Sequence, residues 1–463
     1  MPPTLALVIC LGFVIWLLRS EARAKSSGYW LAFLWLVIGS SRPISSWLNV
    51  RSGYANSTEA YLEGNLVDSV ILLLLIAGGL VLLQRRKFQW GNAIRANAAI
   101  FLVYGYFLAS TLWADVPFVA FKRWVREFGN VVMVLVVLSE RDPLHAMTAL
   151  YRRCAYILFP FSILVMIYYP VLGRYYSAMG QPLYCGVAHS KNSLGEIIFV
   201  FGLVLLWEWM EVLKPKFSQF FKTPFLARGL ALLMGAYLLV QARSATAVLC
   251  AVVGAAVLAT SWFTVFRRKR KRLIKIVLVA TVLLFVLDSS FGLLEKVVGL
   301  LGRDMTFTGR TEIWQVVREQ QTNPLFGVGF SSFWSSRSAQ QIWDEFITLV
   351  SAHNGYLDVY LDGGFIGLAL VLVMLVVVFR KVMGQLGSDS KMASLQFAFL
   401  LLIVVRNWSE TSFLRGGPLW FTFLLLAMLP ARHAVSERPV KSPQPKRSGS
   451  EATVGLKEAN ANA

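Results

Sequence analysis

The residue types that could do chemistry gather late in the chain. Thr308-Gly309-Arg310-Thr311-Glu312-Ile313-Trp314-Gln315-Val316-Val317-Arg318 reads as a short amphipathic helix. Thr308 suits an N-cap, and Ile313, Trp314 and Val317 share one face. Arg310 then stands in the first turn, where its guanidinium and the helix N–H groups could converge on an anion. An interfacial helix with a snorkelling arginine accounts for the same spacing. Asn323-Pro324-Leu325-Phe326-Gly327-Val328-Gly329-Phe330 follows. Asn-Pro starts a turn and the two glycines allow a tight backbone path, so packing is favoured here over phosphate binding. Ser351-Ala352-His353-Asn354-Gly355-Tyr356 comes next, just before a strongly apolar run. His353 could take a proton near neutral pH, or be one more satisfied polar residue.

The chain has only four histidines: His145, His189, His353 and His433. No Cys or carboxylate accompanies His189 or His353 at ligand spacing, so no metal site and no cofactor is expected. Cys10, Cys154, Cys185 and Cys250 form no CxxC pair, and no intramolecular disulfide is expected. Arginines give a second signal. Arg123 and Arg126 follow Lys122 at the end of one apolar run, and Arg243 lies in the turn Gln241-Ala242-Arg243-Ser244-Ala245 between two others.

The elements that must position these residues are membrane helices. Of 463 residues 56% are hydrophobic and only 15% charged, with mean hydropathy +0.59. Repeated apolar runs approach the roughly 20 residues that cross a bilayer, and in lipid such runs must satisfy their backbone internally, as helices. Runs such as Ser69 to Leu83 and Leu368 to Phe379 lack the alternation of a membrane β-barrel. The expected spans are 3–18, 28–48, 66–83, 98–114, 120–138, 155–170, 193–212, 227–241, 246–264, 273–290, 358–379, 394–409 and 416–430. Arg42-Pro43 interrupts the second. The first is read as a retained helix, since no small-residue cleavage site follows it.

The net charge of +20 is read as topology, not as nucleic-acid binding, because the positives sit in short loops. Placing Arg267-Arg268-Lys269-Arg270-Lys271-Arg272 in the cytoplasm puts about 30 of the 45 Lys and Arg inside. Residues 1–430 are then a polytopic membrane domain and 431–463 a disordered cytoplasmic tail. The loop 291–357 is long, outer and rich in aromatics, which marks it as functional. Arg123, Arg126 and Arg243 fall on the outer side, against the topology bias. A pyrophosphate would account for them, as would lipid headgroups, a chloride or structural ion pairs.

Together these stretches resemble the O-antigen ligase and polymerase superfamily. The resemblance rests on Gly309-Arg310, Trp314, Pro324 to Gly329, His353-Asn354 and Gly364-Phe365-Ile366-Gly367, within a signature spanning 291–367. Ala242-Arg243-Ser244 resembles the family's upstream Ser-Arg turn. His189-Ser190-Lys191-Asn192-Ser193-Leu194-Gly195 resembles its His-Lys-Asn stretch, with Ser190 intervening. The wording of 308–314, with Glu140-Arg141-Asp142-Pro143 upstream, is nearest the exopolysaccharide polymerase branch.

The resemblance implies an all-α integral membrane protein of about 12–13 helices, a GT-C-type bundle with one long outer loop. It implies metal-independent transfer of glycan from undecaprenyl pyrophosphate to a sugar hydroxyl at the periplasmic face of the inner membrane. It implies Arg243 and Arg310 on the pyrophosphate and His353 as base. Arg123, Arg126, Trp314, Asn354, Lys191 and Asn192 are the candidate substrate-binding residues. The expected partners are an undecaprenyl-pyrophosphate-linked donor, a saccharide or lipid A-core acceptor, membrane lipid and other polysaccharide assembly proteins. A transporter or flippase is the alternative; it predicts charges inside the spans and unwound helices. A purely structural subunit would tolerate loss of Arg310 and His353.

Overall fold

The computed structural model describes residues 1–20, 29–48, 65–176, 180–213, 223–262, 276, 308–320, 322–336, 339, 342, 350–385 and 391–429. The expected span at 273–290, apart from position 276, and the tail 431–463 lie outside these. In chain order the main helices are α1 (Pro3–Arg19), α2 (Tyr29–Ser40), α3 (Leu66–Arg85), α4 (Ala98–Ser110), α5 (Pro117–Leu138) and α6 (Pro143–Tyr168). After a hairpin, β1 (Arg174–Tyr176) and β2 (Pro182–Tyr184), come α7 (Lys191–Trp207), α8 (Thr223–Ala242) and α9 (Ala245–Trp262). The last four are α10 (Thr308–Glu319), α11 (Gly355–Gln385), α12 (Lys391–Ser409) and α13 (Pro418–Met428).

The protein is an all-α integral membrane protein, with one two-stranded hairpin among the described residues. Among the described residues six helices are long and apolar enough to cross a membrane, and a seventh if the bent pair around Asn97 is one span. Four further apolar helices are shorter. The expected 12–13 spans include one outside the described residues, and several of the others are shaped locally. The expected span 28–48 is cut by Arg42-Pro43 into Tyr29–Ser40 and the single turn Ile44–Trp47. Helix α5 has 22 residues, enough to span, but its first half carries Lys122, Arg123, Arg126 and Glu127. Helix α6 begins well before the expected 155, because Pro143 takes a first-turn position and the Asp142 carboxylate accepts from the His145 N–H. That brings Arg152 and Arg153 inside the bundle. Arg152 pairs with Glu208, and Arg153 lies 5.1 Å from the Tyr29 ring and 4.9 Å from the Trp30 ring.

Helices α7, α12 and α13 form the centre, packed on α6, α9 and the valine-rich half of α5 (Val131 to Val137). In the apolar stretch of α12, 83% lies buried in protein; in α3 only 22% does, so α3 turns most of its surface to lipid.

Helix α11 is broken at Gly364 (φ +62°). The Pro324–Gly329 segment enters the break. Phe365 N–H donates to Pro324 O (2.8 Å) and Ile366 N–H to Leu325 O (3.2 Å). In return Val328 N–H donates to Leu361 O (3.0 Å) and Gly329 N–H to Asp362 O (2.9 Å). The backbone groups freed by the break are thus paired. This gives the double-glycine motif the packing role and engages the Gly329 amide inside the protein.

Candidate active site

One end of the bundle gathers the ends of several helices. The α8–α9 turn lies against the first turns of α7: a Cβ on Gly195 would stand 2.4 Å from the Ala247 Cβ and 3.4 Å from that of Ser244. Thr246 Oγ1 is 3.2 Å from Ser409 Oγ at the end of α12. Glu410 follows, and its two oxygens link two other elements. Oε1 accepts from Asn192 Nδ2 (2.7 Å), in the first turn of α7, and Oε2 is 3.3 Å from His353 Nδ1.

His353 stands just before α11 at φ +49°. An ionised carboxylate only accepts, so in the tautomer that donates from Nδ1 to Glu410 the Nε2 atom carries the lone pair. The side chain is 41% exposed, which leaves room for a reactant. The backbone around it is fixed on both sides. Its N–H donates to Ser351 Oγ (3.0 Å), and Trp314 Nε1 donates to Ala352 O (2.8 Å). Asp358 accepts from Trp334 Nε1 (2.8 Å), Ala352 N–H (3.1 Å), Ser351 Oγ (3.1 Å) and the Thr411 hydroxyl. Asn354 Oδ1 accepts from the N–H groups of Tyr356 and Leu357, both 3.1 Å, and so caps α11. Asn354→Ala should cost about 1 kcal/mol through the lost cap, read as a lower unfolding temperature in detergent.

Arg243 turns at φ +47° and is exposed. Its side chain has no hydrogen-bond or ion-pair partner among the described residues. Lys191 opens α7, and its N–H donates to Tyr175 Oη (3.3 Å). Position 310 stands one turn before Trp314 on the same face of α10; the Arg310 side chain lies outside the described residues. Ile313 and Val317 of α10 pack against Phe333, Trp334, Ala352 and Leu361.

Arg123 and Arg126 belong to an adjoining cluster. Arg123 Nη1 donates to Ser331 O (2.5 Å) and Ser335 Oγ (2.7 Å), so it secures the turn after Phe330. Arg415 donates to Ser331 Oγ (2.9 Å) and lies 3.6 Å from Asp362. The Arg126 side chain is 56% exposed, with its Nε 3.9 Å from Glu127. The loop from Glu410 to Gly417 joins the two clusters. Asn407 Oδ1 accepts from the N–H groups of Ser412 (2.8 Å) and Phe413 (2.9 Å), and Glu127 accepts from Gly416 N–H (2.7 Å). Glu196 accepts from Leu419 N–H (3.1 Å) and pairs with Arg406 (2.7 Å).

Among the described residues five non-glycines have positive φ, and four of them, Arg243, Ser331, His353 and Leu414, lie in these turns. Such backbone is held only where its surroundings over-determine it, and it concentrates at functional sites. His189 lies just before α7; desolvation and the nearby Arg42 lower its pKa, which favours the neutral imidazole. Among the described residues no three His, Cys, Asp or Glu are grouped to hold a metal ion. Sequence reasoning missed Glu410, Asp358 and Arg415. The only local sign of Glu410 is a polar Ser409-Glu410-Thr411-Ser412 run between apolar helices.

Residues 229–372 match the model of a family described as O-Antigen ligase. That stretch contains Arg243, α10, the Pro324–Gly329 segment and His353, but neither Asn192 nor Glu410. Over 368 residues the chain is also 28% identical to "Exopolysaccharide production protein ExoQ" of Rhizobium meliloti (strain 1021), covering 72% of this chain and 76% of the relative.

Proposed function

We propose that this chain, a member of the O-antigen ligase and polymerase superfamily, moves glycan from undecaprenyl pyrophosphate to a sugar hydroxyl at the periplasmic face of the inner membrane. The coarser reading, a membrane polysaccharide polymerase or ligase, follows from the family match and the relative. The observation that carries the finer one is His353 held by Glu410, with no partner on Nε2 among the described residues, in a cluster that the α8–α9 turn bearing Arg243 joins through Thr246 and Ser409. The ExoQ relative's name concerns exopolysaccharide production, which favours polymerase over ligase.

In this reading the acceptor hydroxyl gives its proton to His353 Nε2 as its oxygen attacks the anomeric carbon. The bond from that carbon to the pyrophosphate oxygen breaks, and the lipid pyrophosphate leaves with the electron pair. Glu410 holds the imidazole in the accepting tautomer and stabilises the imidazolium that forms. Arg243 and Arg310 neutralise charge as it builds on the leaving pyrophosphate. Attack opposite the leaving group inverts the anomeric centre; product NMR showing retention would refute that step.

The transporter alternative predicted charges inside the spans, and the Arg406–Glu196 pair is buried there. Both residues stand within two turns of their helix ends; Arg406 Nε donates to Ser412 Oγ (3.2 Å) in the Glu410–Gly417 loop and Glu196 accepts from Leu419 N–H just after it, so the pair has a structural use. The broken α11 is likewise sealed by backbone pairing.

The test gives purified protein undecaprenyl-pyrophosphate-linked repeats with EDTA present, and follows free lipid pyrophosphate and glycan length. Wild type should release the lipid and lengthen the glycan. Arg243→Ala should be slower by roughly 10²–10³-fold at unchanged unfolding temperature, because its exposed side chain makes no hydrogen bond or ion pair among the described residues. No release by wild type would sink the reading and leave transport leading.

A further inference from the structure

The hairpin between α6 and α7 is pinned to the bundle. Arg174 Nε donates to Met166 O (2.7 Å), and its guanidinium lies 5.3 Å from the Tyr184 ring. Cys185 N–H donates to Gly173 O (3.0 Å). The register sets Arg174 opposite Tyr184, Tyr175 opposite Leu183 and Tyr176 opposite Pro182. Alternation along β1 therefore sends Tyr175 to the face away from Arg174 and Tyr176. Tyr176 is 67% exposed, whereas Tyr175 reaches the first turn of α7.

There Tyr175 Oη accepts from Lys191 N–H (3.3 Å). The next residue, Asn192, holds Glu410, which holds His353. A phenol that has accepted an N–H still has its own proton to give. That proton has no acceptor among the described residues. Burial pushes the pKa of Tyr175 up and the charge of Glu410 adds to it, so the phenol stays a donor at neutral pH. A phenol whose O–H adjoins the Asn192–Glu410–His353 chain offers the chemistry that recognises a sugar: an aromatic face for the C–H groups and a hydroxyl for an oxygen.

We infer that Tyr175 positions the acceptor saccharide, with its O–H donating to a sugar oxygen and its ring lining the acceptor subsite. The inference rests on the glycosyltransfer reading above. The experiment uses full-length protein in nanodiscs and a single repeat oligosaccharide released from the producing strain's own polysaccharide as probe. Binding is read by saturation-transfer NMR, and turnover with the lipid-linked donor in parallel.

Tyr175→Phe should weaken probe binding about tenfold, equivalent to about 1.4 kcal/mol, and raise the acceptor KM by a similar factor with the donor KM unchanged. Tyr175→Ala should weaken binding further, and Tyr176→Ala should behave as wild type. The inference is overturned if both Tyr175 variants bind the probe like wild type, or if wild type binds none. It is also overturned if Tyr175→Phe raises donor and acceptor KM together with a lower unfolding temperature, the mark of a merely structural role. Probe binding that depends on Tyr175 in a protein releasing no lipid pyrophosphate would keep the saccharide site and discard the transfer chemistry.

Discussion

His353→Ala should lower turnover by about 10²–10⁴-fold, the usual contribution of a positioned general base, with little loss of stability. The side chain is 41% exposed, and among the described residues its one hydrogen-bond partner is Glu410, a carboxylate that Asn192 still satisfies when the ring is removed. Glu410→Gln is the sharper variant. A glutamine amide placed toward His353 Nδ1 would donate, the ring would accept there, and its proton would move to Nε2, where the lone pair is needed. The fold and the charge of every arginine would be kept while the tautomer is wrong. Released lipid pyrophosphate under saturating donor measures both. A Glu410→Gln enzyme at wild-type rate would show that the His353–Glu410 contact does not set the tautomer. A His353→Ala enzyme at wild-type rate would remove the base assignment altogether.

Gly364→Ala should cost about 3–5 kcal/mol, from the top of the ordinary range into the exceptional tail, and strip the protein of its active-site loop order before it unfolds. A Cβ there would stand 2.2 Å from Leu325 O and 2.3 Å from its carbonyl carbon, on backbone at φ +62°. Both are backbone atoms and cannot turn aside. Pushing them away breaks the exchange of hydrogen bonds between Pro324–Gly329 and Leu361–Ile366. Gly327→Ala meets the same wall from the other side, 2.5 Å from the Asp362 carbonyl carbon at φ +68°. Gly384→Ala, on the same helix with open space at its Cβ, is the control and should be neutral or stabilising by up to about 1 kcal/mol. Unfolding temperature in detergent separates them. Equal temperatures for Gly364→Ala and Gly384→Ala would mean that the break in α11 is not held as described.

What the sequence determined by itself was whatever follows from composition and local spacing. Apolar runs made helices because lipid leaves the backbone no other partner. Pro43 cut the second run, since it cannot continue a helix. Gly-Arg…Trp and His353-Asn354 were legible as a signature because each is a few adjacent residues. Tertiary structure decided everything that depends on which helix ends meet. Glu410 lies 57 residues from His353 and 218 from Asn192, and no local pattern ties a carboxylate after one span to an imidazole before another. Asn354 is expected from sequence to touch substrate, and packing adds that its Oδ1 caps α11. Arg123 is expected on an anion, and packing adds that its Nη1 holds the Ser331 turn. The start of α6 at Pro143 was hidden because Arg152 and Arg153 look like loop residues until Glu208, Tyr29 and Trp30 are brought beside them. Charges enter a membrane bundle only when partners from other helices accompany them, and those partners are fixed by packing, not by the order of residues along the chain.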